Sequence, residues 1–159
     1  MKREISMILN GAPIAVEVEE TASLLDVLRG ELELTGPRLG CGSGDCGTCA
    51  VIIDGEDKAS CSVEIGQVEG RHITTVEGIG TAGDPHPLQT AFIEKQAGQC
   101  GYCLSGLIVG AKVLLDSNPS PSRADIAEAL SWHLCRCGVH NRVIDAILLA
   151  SERIKEGAP

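Results

Sequence analysis

The chain has 159 residues, room for one ordinary domain or two small ones, and 43% of them are hydrophobic, so a packed core needs no staples. Aromatic residues make up only 2%, leaving Phe92, Tyr102 and Trp132 alone, which excludes nucleic-acid binding by base stacking. Thirteen basic against 22 acidic residues give a net charge of −9, which repels phosphate backbones and anionic lipid surfaces.

No apolar run approaches the roughly 20 residues that span a bilayer. Met1-Lys2-Arg3-Glu4-Ile5 lacks the apolar region of a signal peptide and leads into strand-like alternation. The expectation is a cytoplasmic protein without direct membrane insertion, reaching a membrane or the periplasm only through a partner. Eight cysteines in such a chain would meet a reducing compartment, so metal or cluster binding outranks a disulfide-stapled fold.

The first third predicts a small sheet crossed by a helix. Ile5, Met7 and Leu9 alternate with polar residues, Asn10-Gly11 is a two-residue hairpin signal, and Ile14, Val16 and Val18 alternate again. Ser23 suits an N-cap for a helix carrying Leu24, Leu25, Val27 and Leu28, stopped near Thr35-Gly36-Pro37. After a Gly- and Cys-rich loop from Gly40 to Gly47, Ala50 to Ile53 reads as a buried strand. Asp54-Gly55 reads as a second hairpin turn, Lys58 to Val63 as the returning strand and Ile73 to Val76 as the closing one. Two hairpins and one helix make a β-grasp arrangement the expectation for residues 1–77.

Residues 78–87 hold three glycines and two prolines and read as a linker. From 88 to 159 the periodicity becomes helical. Leu88 to Ala97 form one helix, and Leu104, Leu107, Ile108, Ala111 and Leu115 stripe a second, stopped by Asn118-Pro119. Ser122 with Asp125 resembles a capping box for a third, with Ile126, Ala129, Leu130 and Leu134 on one face. Val143, Ile147, Ala150 and Ile154 mark the last. The expected class is therefore α+β, a β-grasp domain followed by a four-helix bundle.

The cysteines fall into two sets of four, one on each side of that linker. Cys41, Cys46, Cys49 and Cys61 read C-x4-C-x2-C-x11-C, whose first three spacings match a plant-type [2Fe–2S] loop. The long insert lets the loop wrap a cluster, C-x2-C is expected to place two thiolates on one iron, and Cys61 arrives from the returning strand. Gly40, Gly42, Gly44 and Gly47 allow tight backbone whose N–H groups face sulfur. Gly42 to Gly47 also satisfy G-x-G-x-x-G, but a strand follows where a dinucleotide fingerprint needs a helix, so nucleotide binding is rejected.

The second set is Cys100-Gly101-Tyr102-Cys103 and, after thirty-one intervening residues, Cys135-Arg136-Cys137. A thioredoxin-type pair would leave Cys135 and Cys137 unexplained. Four thiolates from helix ends suit either a cluster or zinc, and spacing leaves both open. A ferredoxin-like carrier with a zinc-binding helical module is the corresponding alternative function. His133 and His140 flank this set and are candidates for Rieske-like ligation, although eight cysteines already suffice. His72 and His86 read as surface residues, Trp132 as a core or partner-facing anchor, and Arg136 as an offset to cluster charge.

The order of the two loops, Gln99-Cys100-Gly101-Tyr102-Cys103 and Leu134-Cys135-Arg136-Cys137-Gly138 resemble the small iron–sulfur subunit of the xanthine oxidase (molybdenum hydroxylase) family over nearly the whole chain. The resemblance implies two [2Fe–2S] clusters held by Cys41, Cys46, Cys49, Cys61, Cys100, Cys103, Cys135 and Cys137. It implies an electron-transfer subunit of an oxidoreductase complex, with substrate chemistry on a large molybdopterin-binding partner. Gln99 and Cys137 would touch that partner's molybdopterin, expected as the cytosine dinucleotide, and a flavin subunit or a cytochrome would accept the electrons. Leu104-Ser105 replaces the common Thr-Pro, and Cys137-Gly138-Val139-His140 replaces Cys-Thr-Gly-Tyr. That variant resembles small subunits of bacterial dehydrogenases for nicotinate and isoquinoline, which implies hydroxylation of an N-heteroaromatic or oxidation of an aldehyde.

Overall fold

The computed structural model describes residues 2–157. β1 (Lys2–Leu9) and β2 (Ala12–Glu19) form an antiparallel hairpin in full register from Lys2↔Glu19 to Leu9↔Ala12. Asn10 and Gly11 both have positive φ, 50° and 83°, as a two-residue turn between right-twisted strands demands. Helix α1 (Leu24–Gly30) is capped by the Ser23 hydroxyl, which accepts the Asp26 N–H at 3.1 Å. It stops earlier than the sequence suggests. Gly30 ends it, Glu33 turns left-handed at φ 55°, and Arg29 donates to the carbonyls of Thr35 and Pro37 in the descending loop.

β3 (Ala50–Ile53) and β4 (Glu56–Ala59) form the second hairpin around Asp54 and Gly55, again both at positive φ. The expected strand from Lys58 to Val63 is corrected: pairing ends at Ala59 and Ser60–Ser62 form a 3-10 turn. The buried Ser60 hydroxyl donates to the Cys49 carbonyl at 2.7 Å, which competes with ladder pairing. β5 (His72–Thr74) lies parallel to β1 and antiparallel to β3, completing the order β2-β1-β5-β3-β4. One face buries Ile5, Met7, Val51, Ile53 and Ile73 against Leu24, Val27 and Leu28 of α1. Each such burial contributes about 1.5–3 kcal/mol. This is the β-grasp arrangement.

A short α2 (Val76–Ile79) opens the segment read as a linker and packs on α4. The helical portion follows as α3 (Pro87–Glu94), α4 (Leu104–Ser117), α5 (Arg123–Ala129) and α6 (His140–Glu156). Its apolar stripes meet as expected at Leu107, Ala111, Ile126, Val143 and Ile147, all fully buried. The Ser122–Asp125 capping box forms. His86 is not simply a surface residue: its Nδ1 accepts the Leu88 N–H at 3.1 Å and caps α3, while Gln89 completes the box. Leu134 leaves the expected stripe because α5 ends at Ala129, and its side chain is 59% exposed. Helix α4 lies against β3 and β4, which brings the two halves together. No described helix is long and apolar enough to cross a membrane.

Candidate iron–sulfur sites

The first loop folds its own backbone over sulfur. Cys41 Sγ accepts the N–H of Ser43 at 3.4 Å and of Asp45 at 3.3 Å, and Cys46 Sγ accepts the N–H of Cys41 at 3.4 Å. Gly42 and Gly44, with φ 74° and 87°, provide the left-handed turns that aim these groups inward. The Ser43 hydroxyl and the two N–H groups lower the Cys41 thiol to about 6, favouring the thiolate a metal binds. Cys49 begins where β3 starts and is tied to the turn bearing Cys61 by the Ser60–Cys49 bonds. Burial pushes the Cys49 thiol up to about 11. Cys61 therefore comes from a 3-10 turn and not from a strand.

The second loop pairs its thiols across the two motifs. Cys137 Sγ lies 3.5 Å from Cys100 Sγ, and Cys103 interacts with Cys135. Burial raises Cys103 to about 12, while the Tyr102 N–H, 3.5 Å from Cys100 Sγ, lowers Cys100. The two motifs are thus interleaved, and the partner of Cys100 is not its neighbour in C-x2-C. In the first loop the Cys41 N–H is directed at Cys46 Sγ, and Cys49 is tied to the turn that carries Cys61.

Among the described residues no three His, Cys, Asp or Glu side chains close on one point as the ligands of a single ion do. A binuclear cluster asks for something else, two thiolates at each of two irons. Four thiols in each loop, with N–H groups turned to sulfur, fit that requirement. In the second loop all four thiols line one hollow of about 460 Å³, together with Thr48, Tyr102, Leu134, Arg136 and His140.

Two family matches divide the chain: "2Fe-2S iron-sulfur cluster binding domain" over residues 7–75 and "[2Fe-2S] binding domain" over 75–148. A nicotinate dehydrogenase subunit of Pseudomonas putida is 48% identical over 96% of this chain and 97% of its own length. The alpha subunit of isoquinoline 1-oxidoreductase from Brevundimonas diminuta is 47% identical over 93% and 97%. Quinoline 2-oxidoreductase from Pseudomonas putida superposes with a TM-score of 0.93 at 38% identity, covering 99% of both chains. The chain belongs to the small iron–sulfur subunits of the xanthine oxidase (molybdenum hydroxylase) family. Aldehyde oxidoreductase from Desulfovibrio gigas superposes at 0.94 and 39% identity, but there the matched part is 18% of a much longer chain. The same unit is therefore a separate polypeptide in some family members and a segment of a larger one in others.

Within this iron–sulfur subunit Gln99 is exposed and lines a second hollow of about 690 Å³ with Ile93, Gln96, Gly98 and Arg142. Cys137 lines the first hollow with Cys100, which directly follows Gln99 in the chain. Exposed apolar side chains gather around the loops: Leu39, Tyr102 and Leu134 are each at least half exposed, and Ile93 is 77% exposed. Arg136 is exposed, Trp132 is half-buried and stacks obliquely on His133, and His140 lines the thiol hollow at the start of α6. His72 is exposed as expected.

Sequence reasoning missed the seam between the loops. Tyr102 donates its hydroxyl to the Leu39 carbonyl at 2.6 Å, and Arg38 donates to the Gly101 carbonyl at 3.0 Å with its guanidinium over the Tyr102 ring. The Leu134 N–H donates to the Cys46 carbonyl at 2.9 Å. His133, read as a possible ligand, points instead to Asp57. No local pattern signals these contacts, since each joins residues far apart in sequence.

Proposed function

We propose that this subunit relays electrons one at a time from the molybdenum centre of a large partner subunit, through two [2Fe–2S] clusters, to an external acceptor. Cys100, Cys103, Cys135 and Cys137 hold the cluster that receives electrons, and Cys41, Cys46, Cys49 and Cys61 the one that passes them on. The observation that carries the reading is the gathering of thiols in both loops, Cys100, Cys103, Cys135 and Cys137 about one hollow and Cys41 and Cys46 within a loop that turns its N–H groups to sulfur. Bound clusters supply one-electron redox chemistry. The chain's own residues hold them, orient them and present N–H groups to sulfur, which favours the more negative reduced state.

Gln99 and Cys137 face the partner's molybdopterin, as the cytosine dinucleotide, across the two hollows beside Cys100. The exposed Leu39, Ile93, Tyr102 and Leu134 support an obligate contact with that large subunit. The holoenzyme hydroxylates an N-heteroaromatic or oxidises an aldehyde, a reading supported by the nicotinate and isoquinoline enzymes among the relatives. A flavin subunit or a cytochrome is the acceptor, and the assembly works in the cytoplasm. The two apolar cores, which share no buried residue, support division into a ferredoxin-like domain over 1–77, a linker over 78–87 and a helical domain over 88–159.

Iron, acid-labile sulfide and zinc per chain test the reading in the purified complex. Four irons, four sulfides and no zinc are expected. Two irons and one zinc would replace it with the ferredoxin-like carrier that has a zinc-binding module.

A further inference from the structure

We propose that His133 is a positioning residue that sets how the two cysteine loops face each other, through its contacts with Asp57 and Gly47. The proposal rests on the reading that both loops hold clusters. His133 lies two residues before Cys135, and its side chain is buried, 2% exposed, between α4 of the helical portion and β4 of the sheet. Its Nε2 stands 3.0 Å from Asp57 Oδ2 on β4, four residues before Cys61. The Asp57 carboxyl is held below the usual carboxylate range, chiefly by this bond, so its oxygen accepts and the ring nitrogen donates.

The imidazole is gripped from both sides. A Cβ on Gly47, the residue after Cys46, would come within 2.5 Å of its Nδ1, and one on Gly110 of α4 within 2.5 Å of its Nε2. The next residue, Leu134, donates its N–H to the Cys46 carbonyl at 2.9 Å. One short segment thus touches the first loop beside Cys46, bonds β4 ahead of Cys61, and then supplies Cys135 to the second loop. His133 Nδ1 is buried without a partner. An unpaired buried ring nitrogen is costly, so stability alone does not explain a histidine here; a fixed three-point contact between the loops does.

The experiment uses the purified holo-complex with His133→Asn, His133→Gln and Asp57→Ala. An Asn amide reaches only the place of ring Nδ1, whereas a Gln amide reaches that of Nε2 and restores the bond to Asp57. With both clusters loaded, His133→Asn and Asp57→Ala should shift the spin–spin splitting between the two reduced clusters in EPR. They should also speed solvent exchange of the Leu134 amide, and His133→Gln should return both to wild-type values. Unchanged splitting in fully loaded His133→Asn and Asp57→Ala overturns the proposal. Loss of iron in all three variants overturns it too, because the pair would then serve folding and not spacing. A wild-type complex with fewer than two clusters defeats the underlying reading, and the proposal with it.

Discussion

Gly47 shows how little freedom the loops have at the level of single residues. It combines φ +69° with a neighbour, His133 Nδ1, that an added Cβ would meet at 2.5 Å. Backbone strain and overlap act together, so Gly47→Ala should destabilise the chain by about 1–3 kcal/mol. Thermal unfolding followed by circular dichroism checks this, with release of iron from the first loop as the accompanying sign. Tyr102 is the contrasting case. Its ring is half exposed, and its hydroxyl donates one hydrogen bond to the Leu39 carbonyl. Tyr102→Phe should cost only about 1 kcal/mol and leave both clusters in place, as read from melting temperature and the visible spectrum. Loss of a cluster in Tyr102→Phe would mean that the seam does more than align two loops already formed.

Helix and strand starts were the most legible elements, because each rests on chemistry confined to a few residues. Asn10-Gly11 and Asp54-Gly55 supply the positive φ that two-residue hairpins need, and Ser23 and Ser122 supply capping oxygens. Ser122→Ala should therefore destabilise α5 by about 1 kcal/mol, measurable as a lower denaturant midpoint with an unchanged slope. The same box gives a pH dependence. Ser122 holds the Asp125 carboxyl below its ordinary value of 3.8, so its contribution is present above that pH and is lost as pH falls through the lower folded value. Element ends were less legible. The turn bearing Cys61 depends on Ser60 reaching the Cys49 carbonyl, and the end of α1 on Glu33 turning left-handed. Neither follows from periodicity. At this scale the separate apolar cores predict that Cys46→Ser removes one cluster and leaves the helices folded. Far-ultraviolet circular dichroism with EPR of the remaining cluster checks it; loss of both signals contradicts it.

Across the whole molecule, cysteine spacing told which residues gather and the fold told how they are grouped. C-x4-C-x2-C and C-x2-C placed eight thiols in two sets, yet Cys100 meets Cys137 and not its neighbour in C-x2-C. Interleaving of this kind needs a long loop closure, thirty-seven residues for Cys100 and Cys137, which local sequence does not encode. The seam is more distant still, 63 residues between Leu39 and Tyr102 and 76 between Asp57 and His133. The order of electron flow is the central claim, and it rests on Gln99, exposed next to Cys100, and on the exposed Ile93, Tyr102 and Leu134 near the second loop. Rapid freeze-quench EPR of the Cys135→Ser and Cys46→Ser complexes, mixed with substrate, tests it most directly. Cys135→Ser should abolish reduction of both clusters by substrate, and Cys46→Ser should leave the helical-domain cluster rapidly reducible while turnover with acceptor collapses. Rapid reduction of the first-loop cluster by substrate in Cys135→Ser would contradict the proposed order.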